Sequence, residues 1–275
     1  MENIFSLTAY SILAQAGVGL SVMLFIAWQI IGLDNTKQKR YFQGYAAATI
    51  LTALAMVLSM THLGMPLRAP NAILNLGSSW LSREIFFNGA FFGCVALTTF
   101  LIHNKKNGKL WAALSALTGL LCIFSQASIY ANTIMPAWGF GHAYVTFFGA
   151  TLAMGCALAG IFFFNQEETS GRRFFIIGGC ILILSIVAQG AIYANLAGGL
   201  AGAGAAGMKS LLLLQGKTSL VAFSFICLAL GLLTCICQYH RQKTGAAFYL
   251  TAALIATGEI INRMIFYGIG VPIGM

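Results

Sequence analysis

The chain has 275 residues, of which 59% are hydrophobic and 8% charged, with a mean hydropathy of +0.85. A soluble domain usually carries about a quarter charged residues, so these figures exclude an ordinary water-soluble fold and point to an integral membrane protein. The formal net charge of +9 falls mostly in short loops between apolar runs, which makes it a signal of topology and a poor basis for nucleic-acid binding.

Eight apolar segments follow one another at approximately 9–31, 42–62, 84–103, 111–131, 140–164, 173–196, 219–238 and 246–268. Each is close to the roughly 20 residues that cross a bilayer core. The expected fold is all-α, a polytopic bundle of eight transmembrane helices forming one membrane domain over residues 1–275. The first run lacks both a basic n-region and a short h-region, so it reads as a retained helix and not a cleaved signal. The Gly and Ala content of the segments suits close helix packing in lipid. Cys94, Cys122, Cys156, Cys180, Cys227, Cys235 and Cys237 mostly lie singly inside these runs and read as small buried hydrophobes. The close pair Cys235 and Cys237 has no partner pair, so no metal or iron–sulfur site is expected.

The loops divide by charge. Lys37, Lys39, Arg40, Lys105, Lys106, Lys109, Arg172, Arg173, Arg241 and Lys243 fall on one side, and Arg68, Arg83, Lys209 and Lys217 on the other. Positive-inside counting puts the ten-cation side in the cytoplasm and both termini outside, in the periplasm for a bacterial inner membrane. On that topology His62 and His142 are outer-side and His103 and His240 inner-side, which leaves one conceivable haem-ligating pair; none is expected. One connection, 197–219, is unusually long and contains four consecutive leucines. It is compatible with a surface cap, a short interfacial helix or an ordered loop.

An echo runs through the middle of the chain. "SQASIYAN", Ser125 to Asn132, recurs 63 positions later as "AQGAIYAN", Ala188 to Asn195, repeating Gln126, Tyr130 and Asn132 as Gln189, Tyr193 and Asn195. Both copies close outward-running spans. They line one site as the remnant of a duplicated unit, or they mark a shared packing position with interhelical hydrogen bonds.

Further polar residues collect at the same outer level. Segment 2 ends at His62, beyond which Gly64 and Pro66 break the helix and Arg68 can reach back. Segment 3 opens "SREIFF", with Arg83 and Glu84 at one depth; segment 8 carries Glu259 and Arg263 four apart, able to pair on one face; segment 1 supplies Gln15. Intramembrane charges are costly and mark sites or pathways more often than lipid contact. The bland alternatives are a buried ion pair that locks segment 8, a helix start at Glu84, and a cap at His62. A quinol headgroup would use such a cluster: it enters from lipid, carries two hydroxyls and loses protons as it loses electrons. An imidazole can accept one proton, a carboxylate can carry it to water, and an arginine can hold the developing oxyanion. A proton-coupled transporter could use the same groups, but the inner half of the chain is nearly bare of them.

At "SMTHLGMPLRAPNAILNLGSSWLSREI", Ser59 to Ile85, the chain resembles the membrane-anchor subunit of bacterial dimethyl sulfoxide reductase. The likeness continues through "SIYANTIMPAW", "VAQGAIYAN" and "GEIINRMIFYG" and so covers nearly all of the chain. The resemblance implies an eight-span, haem-free anchor that oxidises menaquinol at its periplasmic side. Electrons would pass to a four-cluster iron–sulfur subunit and on to a molybdopterin catalytic subunit. The family's histidine implicated in quinol use matches His62, and its glutamate at the start of the third span matches Glu84. The anchors of polysulfide and nitrite reductases form a related alternative. So does an anchor with a purely structural role, quinol binding largely at a subunit seam. Pro66, Arg68, Pro70 and Asn71 are expected to shape the rim that docks the iron–sulfur partner.

Overall fold

The computed structural model describes residues 2–62, 75–139, 141–163, 169–241 and 246–273; for Glu2, Asn3, Thr61, His62, His240, Arg241 and Ala246 it describes the backbone only. The helices, in order, are α1 (Glu2–Ile31), α2 (Gln38–His62), α3 (Trp80–His103), α4 (Lys109–Ala131), α5 (His142–Phe163), α6 (Thr169–Ala201), α7 (Gly204–Gln215), α8 (Thr218–Arg241) and α9 (Ala246–Gly268), with a 3-10 turn at Pro136–Trp138. No strand occurs among the described residues.

Seven of the helices, α1 to α6 and α8, are long and apolar enough to cross a membrane. α9 has 23 residues but carries Glu259, Asn262 and Arg263 and is not among the seven. Several helices extend past the apolar segments read from sequence: α1 begins at Glu2 and not at 9, and α6 runs from Thr169 to Ala201 and not from 173 to 196. A helical hydrogen-bond ladder needs no hydrophobic residue to continue, so hydropathy reads the span and not the helix. The long 197–219 connection consists of the end of α6 and a separate 12-residue helix, α7. That helix buries Ala206, Gly207, Ser210 and Leu214 and leaves Met208, Leu212 and Leu213 exposed.

α1 is the hub, packed against α2, α4, α5, α6 and α9. Its Gln15, Met23, Leu24 and Ala27 are fully buried. The outward faces of α6 and α8 carry Leu184, Val187, Phe223, Ile226 and Leu233 in the open, the arrangement of helices whose solvent is lipid. Close approach of α1 and α5 depends on two glycines: a Cβ on Gly19 would overlap the Thr151 carbonyl, and one on Gly155 would overlap the Gly19 backbone. Small residues at the crossing let the backbones meet, as lipid-embedded helices require in place of a hydrophobic driving force. Polar ladders add to the packing. Thr234 and Thr251 hydroxyls lie 2.8 Å apart between α8 and α9, and Gln238 Nε2 donates to the Ala247 carbonyl at 2.6 Å.

Candidate functional site

Two buried polar stations occupy the same end of the bundle, where α1, α3 and α5 begin and α4, α6 and α9 finish. The first is built on α3. Ser79 caps this helix by accepting a hydrogen bond from Ser82 N–H at 3.3 Å. Glu84 then lies just over one turn inside, with Asn88 four residues on along the same face. Tyr10 of α1 donates its phenolic proton to Glu84 Oε1 at 2.6 Å. The phenolic oxygen in turn accepts from Gln126 Nε2 of α4 at 3.0 Å and from Asn88 Nδ2 at 3.4 Å. All four side chains are buried. Cys122 directs its thiol at the Glu84 backbone carbonyl, 4.0 Å away. The result is a carboxylate held by a phenol whose own lone pairs are occupied by two amides. Such an arrangement fixes the direction of the phenol's proton and holds the carboxylate in one place.

Arg83 does not take part. Its Nε donates to the Leu76 carbonyl at 2.8 Å and Nη2 to that of Gly77 at 2.7 Å, with the guanidinium stacked 4.1 Å above the Trp80 ring. Successive helix residues are turned by about 100°, so neighbours at one depth face different surroundings. Arg83, expected beside Glu84, is thus placed next to the station and ties the approach to α3 in place.

The second station centres on α9. Gln189 Nε2 of α6 donates to Glu259 Oε1 at 2.9 Å. Arg263 points elsewhere: Nη2 donates to Gln15 Oε1 at 3.0 Å and to the Thr146 carbonyl at 3.3 Å, and the guanidinium lies 3.7 Å over the Phe147 ring. Glu259 and Arg263 therefore share a helix face without a direct ion pair, contrary to the spacing-based expectation. The aromatic face and the Gln15 amide draw the cation towards α1 and α5, while the carboxylate faces α6. Gly149 makes room for Gln189, because a Cβ there would come within 2.7 Å of Gln189 Cγ.

Tyr130 and Tyr193 flank this second station. Tyr130 packs its ring against Trp138, Phe147, Phe266 and Tyr267 at centroid distances of 5.0 to 5.6 Å. Tyr193 lies edge-on to His142 at 5.0 Å and donates to the Asn262 backbone carbonyl at 3.4 Å. Asn262 Oδ1 accepts from Ser224 Oγ at 2.6 Å, and His142 Nδ1 lies 2.8 Å from the Ala137 carbonyl. Gln15 Nε2, Gln126 Oε1, Gln189 Oε1 and Arg263 Nε and Nη1 are buried without hydrogen-bond partners.

The repeated segment is thus used twice with different partners. Gln126 reaches a glutamate through Tyr10, and Gln189 reaches one directly. Asn132 and Asn195 behave alike, each donating to the carbonyl four residues back at 2.8 Å. Sequence reading places Gln15, Glu84, Gln126, Tyr130, Gln189, Tyr193, Glu259 and Arg263 at this end, and the structure brings them into the two stations. It misses Tyr10, Asn88, His142, Thr146, Gly149, Ser224 and Asn262. The spacing of Asn88 from Glu84 and the place of Asn262 inside "GEIINR" are signals that could have found those two; the others depend on which helices face each other.

His62 ends α2 at this end of the bundle. Ala55 is packed with Tyr10 and Ala14, and Leu58 lies against them, so the backbone of His62 is one further turn along, about 6 Å. Pro66, Arg68, Pro70 and Asn71 lie outside the described residues. Among the described residues, no group of three or more His, Cys, Asp or Glu side chains is placed to hold a metal ion.

Residues 1–269 match the family model described as DMSO reductase anchor subunit (DmsC). The protein is 28% identical over 275 residues to the anaerobic dimethyl sulfoxide reductase chain YnfH of Escherichia coli K12, an alignment covering 98% of this chain and 95% of that protein. It is 25% identical over 277 residues to the C subunit of the same organism's anaerobic dimethyl sulfoxide reductase, covering 98% and 96%. The corresponding C subunit of Haemophilus influenzae is 23% identical over 279 residues, covering 98% and 95%.

Proposed function

We propose, since the chain belongs to the family of DMSO reductase anchor subunits, that it oxidises menaquinol at the end of the bundle that holds Glu84 and hands the electrons to an iron–sulfur subunit. The chain is a multi-pass inner-membrane anchor within an oxidoreductase complex, and the family implies catalytic and iron–sulfur partners. The finer reading adds eight spans, with α9 as the eighth, both termini in the periplasm, four clusters in the iron–sulfur partner and a molybdopterin in the catalytic one. The charge bias of the loops supports that orientation.

The observation that carries the reading is the gathering of Tyr10, Glu84, Asn88 and Gln126 at the end of the bundle where α2 stops at His62. Oxidation of a quinol releases two electrons and two protons. The electrons leave towards the partner's nearest cluster. His62 accepts one hydroxyl proton, and Glu84, steadied by Tyr10, carries a proton towards water. Gln126 Oε1, buried without a hydrogen-bond partner beside Tyr10, is an acceptor suited to a quinol hydroxyl. Gln15, Gln189, Tyr130, Tyr193, Glu259 and Arg263 form the adjoining wall, with Arg263 supplying fixed positive charge. The 63–79 connection, with Pro66, Arg68, Pro70 and Asn71, forms the rim on which the iron–sulfur partner sits, because tunnelling needs the quinol and the first cluster close together.

Replacing His62 with alanine tests the assignment. Quinol-analogue oxidation should be abolished or greatly slowed, while dye-fed activity of the soluble subunits persists, both normalised to assembled complex. Unchanged quinol turnover would remove His62 as the proton acceptor; loss of both activities together with assembly would make it a structural cap.

A further inference from the structure

At the opposite end of the bundle the α1–α2 and α3–α4 connections enclose a cavity of about 380 Å³, within the size range of small-ligand pockets. Lys105, Lys106 and Lys109 line it together with Asn107, Gln38 and Trp28. From these features we infer that the cavity binds the phosphate of an anionic membrane phospholipid.

Three observations support a built site over a scatter of surface lysines. Among the described residues the charge is uncompensated: the one carboxylate in the wall, Asp34, is already engaged by Thr36 and by Lys37, whose Nζ lies 3.2 Å from it. Among the described residues no carboxylate lies within ion-pair distance of Lys105, Lys106 or Lys109. The backbone is specialised as well. Lys106 N–H bonds the Leu101 carbonyl at 2.8 Å and Lys105 N–H that of Ile102 at 3.1 Å, the paired bonds that close a helix end with a left-handed residue. That residue is Lys105, at φ 55°. Glycine is favoured at such a position, and an L side chain there is strained. A lysine held in that conformation beside two others points to a use for its charge. The third feature is a mixed lining: half-buried Leu33 offers apolar surface, with Trp28 and Ile102 buried in the same wall, while the lysines stand exposed. A phospholipid presents that combination, a phosphodiester above an acyl chain, whereas free phosphate has no apolar part to offer. The inference holds whichever side of the membrane this end faces.

The assembled complex is delipidated in detergent and supplied with phosphatidylcholine alone, phosphatidylcholine with phosphatidylglycerol, or phosphatidylcholine with inorganic phosphate; retained lipid is read by mass spectrometry and thermal stability in parallel. Phosphatidylglycerol should be retained selectively and raise stability. Lys106→Gln and Lys109→Gln should each weaken retention about five-fold, the value of one cation near an anionic headgroup. Lys105→Gly should weaken it likewise while leaving the lipid-free protein as stable or more so, because the backbone strain is relieved. Arg173→Gln, at the same end but outside the cavity wall, is the control for general surface charge. No preference for phosphatidylglycerol would overturn the inference, as would equal loss in the Arg173 variant. Full stabilisation by inorganic phosphate would overturn the lipid assignment.

Discussion

Tyr10 and Glu84, on α1 and α3, are joined by a 2.6 Å hydrogen bond in which the phenol donates and the carboxylate accepts. The contact makes α1 a member of the site and not merely the scaffold around it. Tyr10→Phe leaves a buried carboxylate without its donor, a loss of about 1–3 kcal/mol. Quinol oxidation should fall with assembly preserved, and the Tyr10→Phe, Glu84→Gln double variant should be no slower than the slower single one. Independent, multiplying losses would show that the two residues do not act as a unit.

Arg263 is held by an aromatic face as much as by polar partners, 3.7 Å above Phe147 and 3.0 Å from Gln15 Oε1. Arg263→Lys keeps the charge but loses the planar stack. It should destabilise the complex by about 1–2 kcal/mol. Phe147→Leu should remove the same contact, so that the two changes couple in a double-mutant cycle of thermal or denaturant unfolding; additive effects would disprove the stack as the holding interaction.

The α1–α5 crossing yields a prediction about accumulation in the membrane. Gly19→Ala and Gly155→Ala each drive a Cβ into backbone that cannot rotate aside, at a cost of about 3 kcal/mol or more. Gly89 and Gly179, in α3 and α6, have open space where a Cβ would stand, and their alanine variants should accumulate normally or slightly better. Immunoblots of membrane fractions distinguish the two classes, and equal accumulation of all four variants would contradict the crossing.

Asp34 closes the α1–α2 turn. Its Oδ1 accepts from Thr36 Oγ1 at 2.6 Å, Thr36 N–H at 3.0 Å and Lys37 N–H at 2.9 Å. These bonds, that from Thr36 foremost, pull its carboxyl down to about 2. Because the folded value is depressed, its stabilising contribution is complete above the unfolded value of about 4 and disappears as pH falls towards 2. The stability difference between the native chain and Asp34→Ala should therefore shrink through that interval. A difference that persists unchanged to the acid end would show that the side chain acts by packing.

Much of the architecture can be read from hydropathy because lipid imposes it: the eighth apolar segment, 246–268, has the same extent as α9. Depth is legible too. Loop charges and polar residues near helix ends put Gln15, Glu84, Gln189 and Arg263 at one level. Facing is not. Arg83 and Glu84 are consecutive, yet one stacks on Trp80 and the other meets Tyr10, because helix rotation and the choice of neighbouring helix decide the partner. Glu259 and Arg263 show the same limit: four-residue spacing permits a pair, but Phe147 and Gln15 offer the arginine a better place. α7 is ambiguous in sequence for another reason, since a 12-residue helix rich in leucine is too short to leave a spanning signature.

Glu84→Gln in the assembled complex gives the most direct test of quinol oxidation at this end of the bundle. The change keeps side-chain volume and an acceptor for Tyr10 but removes the proton-carrying carboxylate. Quinol-analogue oxidation should drop by about a hundred-fold or more, as expected when an acid–base group on the proton's way out is lost, while dye-fed reduction per assembled complex is unchanged. Quinol turnover at the native rate in that variant, with assembly intact, would contradict the account.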